Sequence, residues 1–267
     1  MKDRDVKLYN RVFDDYRFLK DECKFEVLGV FVFGSQNYKV DTETSDIDTK
    51  AVIIPNLEDL ISGKSITPTY QRSDGELHVY DIKSFHESLV KQAPNFVECL
   101  FTGYRYLDME YWPYYQDIIK YREEIARGNV SRTYRSLKGT IQNKEKKLFT
   151  AMPSNAEKVK RYGYDNKAFS DIMRMQEFII RYLNNVPYKD CLIPRYPDKI
   201  VEWKTTFQFS VEDIKQQVEL VEESLKTIEK SFSEVLEVDK FDENLYNMLN
   251  RVTKECIAHN LRKKLRE

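Results

Sequence analysis

The chain has 267 residues and a formal net charge of −1, and 13% of its residues are aromatic, whereas Gly and Pro number only 8 each. This composition excludes a disordered chain, which would lack the aromatic residues, and a collagen-like chain, which would need the glycines. No apolar run reaches the roughly 20 residues that span a bilayer, no secretory signal begins the chain, and the cysteines and histidines lack the spacing of a disulfide framework or a zinc site. We therefore expect a soluble, cytoplasmic globular protein with no membrane partner.

The first part of the chain mixes helical and strand patterns. Apolar residues spaced by three or four predict a helix over residues 5–22. A nearly continuous apolar run over residues 25–33, closed by Gly34 and Ser35, is typical of a strand buried on both faces. The remaining predictions here are strands at 47–54 and 76–82, a short helix or turn at 56–63, a loop at 64–75 and the start of a helix at 84–92.

From about residue 113 onward the pattern is helical. Helices are predicted at about 113–127, 130–150, 163–184, 210–232 and 241–263. Ser210, followed by Asp213, is a plausible start for one of them. We therefore predict the α+β class: a small mixed-sheet domain over residues 1–110 and an all-helical domain over residues 111–267.

Charge is unevenly distributed along the helical part. Residues 132–161 contain nine basic and two acidic residues, whereas residues 211–241 contain nine acidic residues and four lysines. A basic segment is either a solvated helix face or a surface that binds phosphates. Because aromatic residues are interleaved with the basic ones, this stretch is a candidate to track an RNA backbone.

Two aspartates carry the most specific chemical signal. Asp46 and Asp48 alternate on a predicted strand, so their side chains are expected on the same side. Two such carboxylates repel each other unless a cation lies between them, and Mg²⁺ takes ligands of this type together with substrate phosphates. The glycine turn at Gly34 and Ser35 would hold the distal phosphates. The arrangement predicts phosphoryl or nucleotidyl transfer; the alternative is a D-x-D in a surface loop beside an unrelated turn.

These residues also resemble a known family. FGSQNY at residues 33–38 with SDID at 45–48 resembles the signature of the DNA polymerase beta superfamily of nucleotidyltransferases. The chain is most similar to the predicted nucleotidyltransferases associated with RNA repair in bacteria and phages. Residues 76–101 resemble that group's DVxxYELRKFL…KGNPNxLELLF stretch, and residues 163–174 resemble its GYDPKHAxHxxR helix. The resemblance implies a polymerase-beta-like fold for the first domain.

The chain departs from the family pattern at several positions. Lys39 stands where the family often has glycine, and Gln92 and Ala93 stand where it has Gly-Asn. Ala168 and Asp171 replace histidines of the family helix. The turns at Lys39 and before Pro94 are therefore expected to differ in shape, and the role of those histidines is in doubt for this chain.

The resemblance also implies a third metal-binding carboxylate on a neighbouring strand. Glu76 aligns with the family's aspartate and shares a strand face with His78 and Tyr80. Asp81 falls on the opposite, apolar face of the strand. It is the alternative third carboxylate if the strand ends before this residue. We favour Glu76 from the strand alternation.

The helical part contributes candidate nucleotide ligands. Lys167, Asp171 and Arg174 share one helix face, which is either an ion-pair ladder or part of a binding site. The resemblance implies that Lys167 and Arg174 hold the triphosphate and that Tyr164 lies against the base or sugar. Lys138 is a further candidate of the same kind.

The resulting hypothesis is an enzyme that uses Mg²⁺ or Mn²⁺. It would transfer a nucleotidyl group from an NTP to a hydroxyl, releasing pyrophosphate, with an RNA or tRNA 3′ end as the expected acceptor. Asp46, Asp48 and Glu76 would be the metal-binding and catalytic residues. The alternatives are a protein or small-molecule hydroxyl as acceptor, or a nucleotide-binding module without catalysis. The identity of the NTP and the oligomeric state do not follow from the sequence.

Overall fold

The structure, a computed structural model, describes residues 3–266. Within that range five strands form one mixed sheet in the order β3-β4-β2-β1-β5: β1 (Glu26–Val32), β2 (Thr49–Ile54), β3 (Thr69–Arg72), β4 (Gly75–Asp81) and β5 (Arg105–Leu107). Strands β2 and β4 are parallel, and the other neighbouring pairs are antiparallel. The α+β class with a mixed sheet is confirmed.

Helices make up most of the remaining secondary structure. Those that precede residue 129 are α1 (Asp3–Arg17), α2 (Ser35–Tyr38), α3 (Leu57–Ser62), α4 (Ile82–Val90), α5 (Pro94–Val97), α6 (Trp112–Lys120) and α7 (Arg122–Ala126). Those that follow are α8 (Val130–Leu148), α9 (Ala156–Tyr162), α10 (Asn166–Leu183), α11 (Tyr188–Leu192), α12 (Pro197–Thr205), α13 (Val211–Ser231), α14 (Ser233–Glu237) and α15 (Glu243–Lys264). A π-helical turn (Phe18–Glu22) follows α1, and a 3₁₀ turn (Glu98–Leu100) follows α5.

The residues group into two compact units. The first consists of residues 3–37, 44–128 and 241–266, and the second of residues 38–43 and 129–240. This grouping differs from the expected division at residue 110, because α6, α7 and the C-terminal helix α15 belong to the first unit. The functional division at residue 110 stays a prediction.

The sheet of the first unit is covered on both faces. One face packs on α1 through side chains such as Leu8, Val12 and Val30, all at most 2% exposed. On the other face Phe31 packs against Phe85 of α4 and Tyr115 of α6. Strand β1 is buried along nearly its whole length, as its continuous apolar sequence predicts.

The second unit is built around α10. This helix packs against α8, α12 and α13 and buries one apolar side, including Phe169, Ile172 and Ile179. Helix α13 begins with the predicted capping box, in which the Ser210 hydroxyl accepts from the Asp213 N–H and the Asp213 carboxylate accepts from the Ser210 N–H.

Several element predictions need correction. The predicted loop 64–75 contains strand β3, whose polar sequence gives no apolar alternation. The predicted helix 113–127 is broken at Tyr121 into α6 and α7. Strand β2 begins at Thr49 rather than at residue 47, so the aspartate pair lies in the segment that leads into the strand.

Candidate active site

The glycine turn follows directly from strand β1. Phe33, the residue after the strand, donates its N–H to the carbonyl of Asp48 at 3.1 Å. Gly34 has φ +82°, in the left-handed region that favours glycine. The Asn37 N–H then closes the turn on the Gly34 carbonyl at 2.9 Å. The turn therefore lies beside the segment that carries the aspartates.

The aspartate segment alternates in burial although it precedes the strand. Asp46 is exposed, Ile47 is 2% exposed and packed in the core, and Asp48 is half-buried. The Ile47 N–H donates to the Asp74 carbonyl at 2.7 Å, which fixes the segment against the β3–β4 turn. The buried isoleucine thus separates an exposed aspartate from a half-buried one, and the expectation that both carboxylates face the same side stays a prediction.

Strand β4 starts against Asp48. The Glu76 N–H donates to Oδ1 of Asp48 at 3.0 Å. Gly75 allows this approach because a Cβ on it would lie 2.5 Å from the Ile47 carbonyl oxygen. One backbone hydrogen bond therefore brings the second aspartate of the pair and the candidate third carboxylate residue together.

The two candidates for the third carboxylate have different surroundings. Asp81 is 6% exposed and caps α4: its carboxylate accepts from the Ser84 N–H at 2.9 Å and from the Ile66 N–H at 3.0 Å. Glu76 is half-buried on the polar face of β4, where its carboxylate accepts from Gln71 at 2.6 Å and lies 3.2 Å from Nε2 of His78. Because Asp81 is committed to a structural cap, Glu76 remains our choice.

The aspartates could hold a metal ion only together with ligands that the substrate supplies. Among residues 3–266, no group of three or more His, Cys, Asp or Glu side chains is arranged to hold a metal ion. Mg²⁺ is usually bound by one or two carboxylates together with substrate phosphates, rather than by a complete protein cage. The carboxylates of Asp46 and Asp48 fit a dication that arrives with a nucleotide, and we assign them that role as a proposal.

A buried lysine lies next to these residues and was missed in the sequence analysis. Lys50 of β2 is 1% exposed, and its Nζ lies 3.1 Å from the ring centroid of Phe33. Burial lowers the pKa of Lys50, and the nearby Cys99, Glu98 and Asp48 partly offset this effect. A lysine inside an otherwise apolar strand is the sequence signal that would have identified it.

His78 is affected by the same lysine. It pairs in register with Lys50 across the parallel strands β2 and β4. Burial, and then the positive charge of Lys50, lowers the pKa of His78, against the opposing effect of Glu76 and Asp48. His78 therefore lies between the positive charge of Lys50 and the carboxylates of Glu76 and Asp48.

In the second unit, two predicted nucleotide ligands are engaged in other contacts. Tyr164 is 1% exposed and packs edge-on against Phe207, so it has no ring face for a base or sugar. Lys138 forms an ion pair with Glu229 of α13, which neutralises the charge that was expected to bind phosphate. Both side chains therefore have other partners in this structure, and their contact with a nucleotide stays a prediction.

The other two predicted ligands lie in a cationic cluster. Arg174 of α10 stacks on the Tyr38 ring, with the guanidinium carbon 4.0 Å from the centroid, and Lys167 is exposed. Lys204 of α12 donates to the Val40 carbonyl at 3.1 Å. Burial, and then the charge of Lys167, lowers the pKa of Lys204; Asp171 and Asp41 oppose this effect and Arg174 adds to it. Neighbouring cations of this kind attract a polyanion.

Asp171 forms an ion pair with a residue of another helix. Its carboxylate pairs with Lys144 of α8 at 2.6 Å. Lys204 was missed by the sequence analysis because it joins the cluster from another helix, and nothing in its local sequence indicates this.

The basic stretch 132–161 is partly neutralised within the second unit. Arg132 and Arg135 both pair with Asp239, at 2.7 and 2.8 Å. Lys138 and Lys144 are also paired, as described above. The uneven charge along the chain therefore reflects, in part, basic and acidic helices that pair with each other.

Comparisons with known proteins identify similar chains among solved structures. No protein-family model matches the chain, and no curated protein matches it either. Among solved structures, the chain is similar to a nucleotidyltransferase-like protein from Exiguobacterium sibiricum 255-15, at 13% identity and a TM-score of 0.33, over 86% of this chain and 76% of that chain. In the described range of residues, no helix is long and apolar enough to cross a membrane.

Proposed function

We propose that the chain is a metal-dependent nucleotidyltransferase, which transfers a nucleotidyl group from an NTP to a hydroxyl acceptor and releases pyrophosphate. The observation that carries this proposal is the convergence on Asp48. The residue before the glycine turn donates to its carbonyl, and the N–H of Glu76 donates to its carboxylate. A phosphate-binding turn, a metal-binding carboxylate and a possible base are the parts that nucleotidyl transfer requires.

The roles of the residues follow from their surroundings. Asp46 and Asp48 would hold the dication that the nucleotide carries. Bound Mg²⁺ or Mn²⁺ supplies positive charge that stabilises the transferring phosphate. Ser35 would bind the distal phosphates through its hydroxyl, and Lys167 and Arg174 stay the predicted ligands of the triphosphate.

The chemical step is an in-line displacement at the α-phosphorus. The acceptor hydroxyl oxygen forms a bond to this phosphorus, and the bond to the oxygen that bridges the α- and β-phosphates breaks. Pyrophosphate leaves with that bridging oxygen. Glu76 accepts the hydroxyl proton through its carboxylate, whose neighbours Gln71 and His78 orient it.

An RNA or tRNA 3′ end is the acceptor that the family resemblance favours. A protein or small-molecule hydroxyl is the second candidate, because Arg132, Arg135, Lys138 and Lys144 all have acidic partners. Steep weakening of acceptor binding with added salt would identify RNA, since binding of a nucleic acid releases counterions. A salt-independent acceptor would identify the second candidate.

The activity is tested by incubating the protein with each α-³²P-labelled NTP, Mg²⁺ or Mn²⁺, and total RNA or cell lysate. We expect label in one acceptor fraction, and a loss of at least about 100-fold in D46N, D48N or E76Q, because each removes a charge that acts on the reacting groups. D81N is the matched control, and it should retain activity with a lowered melting temperature, because it weakens a helix cap and the hydrogen bond from the Ile66 N–H.

Two results would contradict the proposal. One is the absence of incorporation with every NTP and either dication. The other is incorporation that survives in a D46N/D48N double variant, which would show that the aspartate pair does not carry the reaction. Binding of an NTP without incorporation would instead favour the nucleotide-binding module without catalysis.

A further inference from the structure

Glu98 is a fully buried carboxylate at the glycine turn. It opens the 3₁₀ turn after α5, is 0% exposed, and lies 64 residues from Gly34 in sequence. Its Oε2 accepts from the Gly34 N–H at 3.1 Å and from the Asn37 side-chain amide at 3.2 Å. A buried carboxylate is costly unless hydrogen bonds and opposite charge compensate it, so its position needs an explanation.

These bonds fix the turn at both ends. The Asn37 amide also donates to the Val32 carbonyl at 3.0 Å, at the end of strand β1. The Asn37 N–H donates to the Gly34 carbonyl. One oxygen of Glu98 therefore ties together the end of β1, the left-handed glycine and the first turn of α2.

Compensating charge comes from Lys50. Its ammonium group lies 3.1 Å from the Phe33 ring centroid and 5.0 Å from that of Phe96. Phe33 directly precedes Gly34, and Phe96 lies two residues before Glu98. Lys50 therefore lies between the two segments that Glu98 joins, close enough for Glu98 to raise its pKa against the larger effect of burial.

We propose that Glu98 is the positioning residue of the nucleotide-binding turn: it holds the Gly34 N–H inward and so leaves the Ser35 hydroxyl to contact the phosphates. This inference rests on the proposed function and revises the role of Gly34 in it. Gly34 contributes its left-handed conformation to the turn, and its N–H binds Glu98 instead of a phosphate.

The test combines amide exchange with steady-state kinetics in full-length variants. In E98A, exchange of the Gly34 amide should rise about 10- to 100-fold, the effect of losing a hydrogen bond to a charged group. The KM for the NTP should rise about tenfold, with kcat changed less, because binding of the phosphates loses a fixed partner. E98Q should restore exchange and KM to within about threefold of wild type, since its amide oxygen still accepts from Gly34.

The matched control is D108N. Asp108 is a buried carboxylate that accepts from the Glu110 N–H at 2.9 Å and from Tyr16 and Lys20. D108N should lower the melting temperature without changing the KM for the NTP or exchange at Gly34. Should E98A fail to fold, E98D replaces it, because the shorter side chain keeps the charge and withdraws the oxygen from Gly34.

The inference is overturned if Gly34 exchange is unchanged in E98A or E98D, or if D108N raises KM as much as they do. An inactive wild-type protein would contradict the proposed function alone, since amide exchange still reports whether Glu98 fixes the turn.

Discussion

Lys39, at the end of the first turn of α2, has a backbone conformation that usually requires glycine. Its φ is +56°, and that of Gln92 before α5 is +54°. Non-glycine residues held there cost of order 1 kcal/mol each. Both positions are ones at which the resembling family carries glycine. Both turns are therefore left-handed in this chain although neither position is a glycine, and the expected difference in shape from the family stays a prediction.

This strain predicts a graded response at Lys39, whose side chain is exposed. K39G should leave the free energy of unfolding unchanged or raise it by up to about 1 kcal/mol, because relief of strain is partly offset by a more flexible unfolded chain. K39V should lower it by about 1 kcal/mol or more, since a β-branched residue tolerates this conformation worst. Urea unfolding of the three proteins measures the difference.

Q92G is the matched control for this prediction. Gln92 is fully buried, and its side-chain amide donates to the carbonyls of Leu89 and Ile125. Removing these bonds should outweigh the relief of strain and lower stability. A K39V protein as stable as wild type would contradict the account.

At the scale of elements, a buried histidine joins two helices of the first unit. His86 of α4 is 4% exposed, and its Nδ1 lies 2.6 Å from the Thr253 hydroxyl of α15. Burial lowers the pKa of His86 to about 3. The native protein therefore holds a neutral imidazole at this helix contact, whereas the unfolded chain protonates it near pH 6.5.

This difference predicts how stability depends on pH. Between the two pKa values the unfolded chain binds a proton at His86 and the native protein does not. The full stability is therefore present above about pH 6.5, and the free energy of unfolding falls as the pH drops below this value. Wild type should lose about 2 kcal/mol more than H86Q between pH 7 and pH 5. Urea unfolding at both pH values measures this, and equal losses in the two proteins would contradict it.

A strand could be predicted from the sequence where its own residues carry the pattern. Strands β1, β2 and β4 were predictable because their apolar runs or alternation are visible within a few residues. Strands β3 and β5 have four and three residues and little buried surface, so their existence depends on neighbouring strands.

The same distinction applies to the site. Gly34 with Ser35, and Asp46 with Asp48, were identified because each pair forms a short local motif, and their roles stay predictions. Glu98 and Lys204 were not, because they act on segments 64 and 164 residues away in sequence. The burial of Tyr164 could not be predicted either, because an aromatic residue in a family motif has the same sequence signature in a core as in a binding site.

At the scale of the whole molecule, charge is arranged within each unit rather than along the chain. The basic residues of α8 pair with Glu229 and Asp239 in the second unit. In the first unit, Lys263 of α15 pairs with Glu26 and Glu110. The end of the chain thus returns to the unit that holds the aspartates, and the net charge of −1 conceals this internal pairing.

The most direct test of the central claim, that Asp46 and Asp48 share a dication with the nucleotide, is electron paramagnetic resonance of bound Mn²⁺ in the presence of a non-hydrolysable NTP analogue. Wild type and D81N should bind Mn²⁺ when the analogue is present, and the D46N/D48N variant should bind it at least about 100-fold more weakly, since both carboxylate ligands are lost. Equal binding of Mn²⁺ and analogue by the double variant would contradict the account.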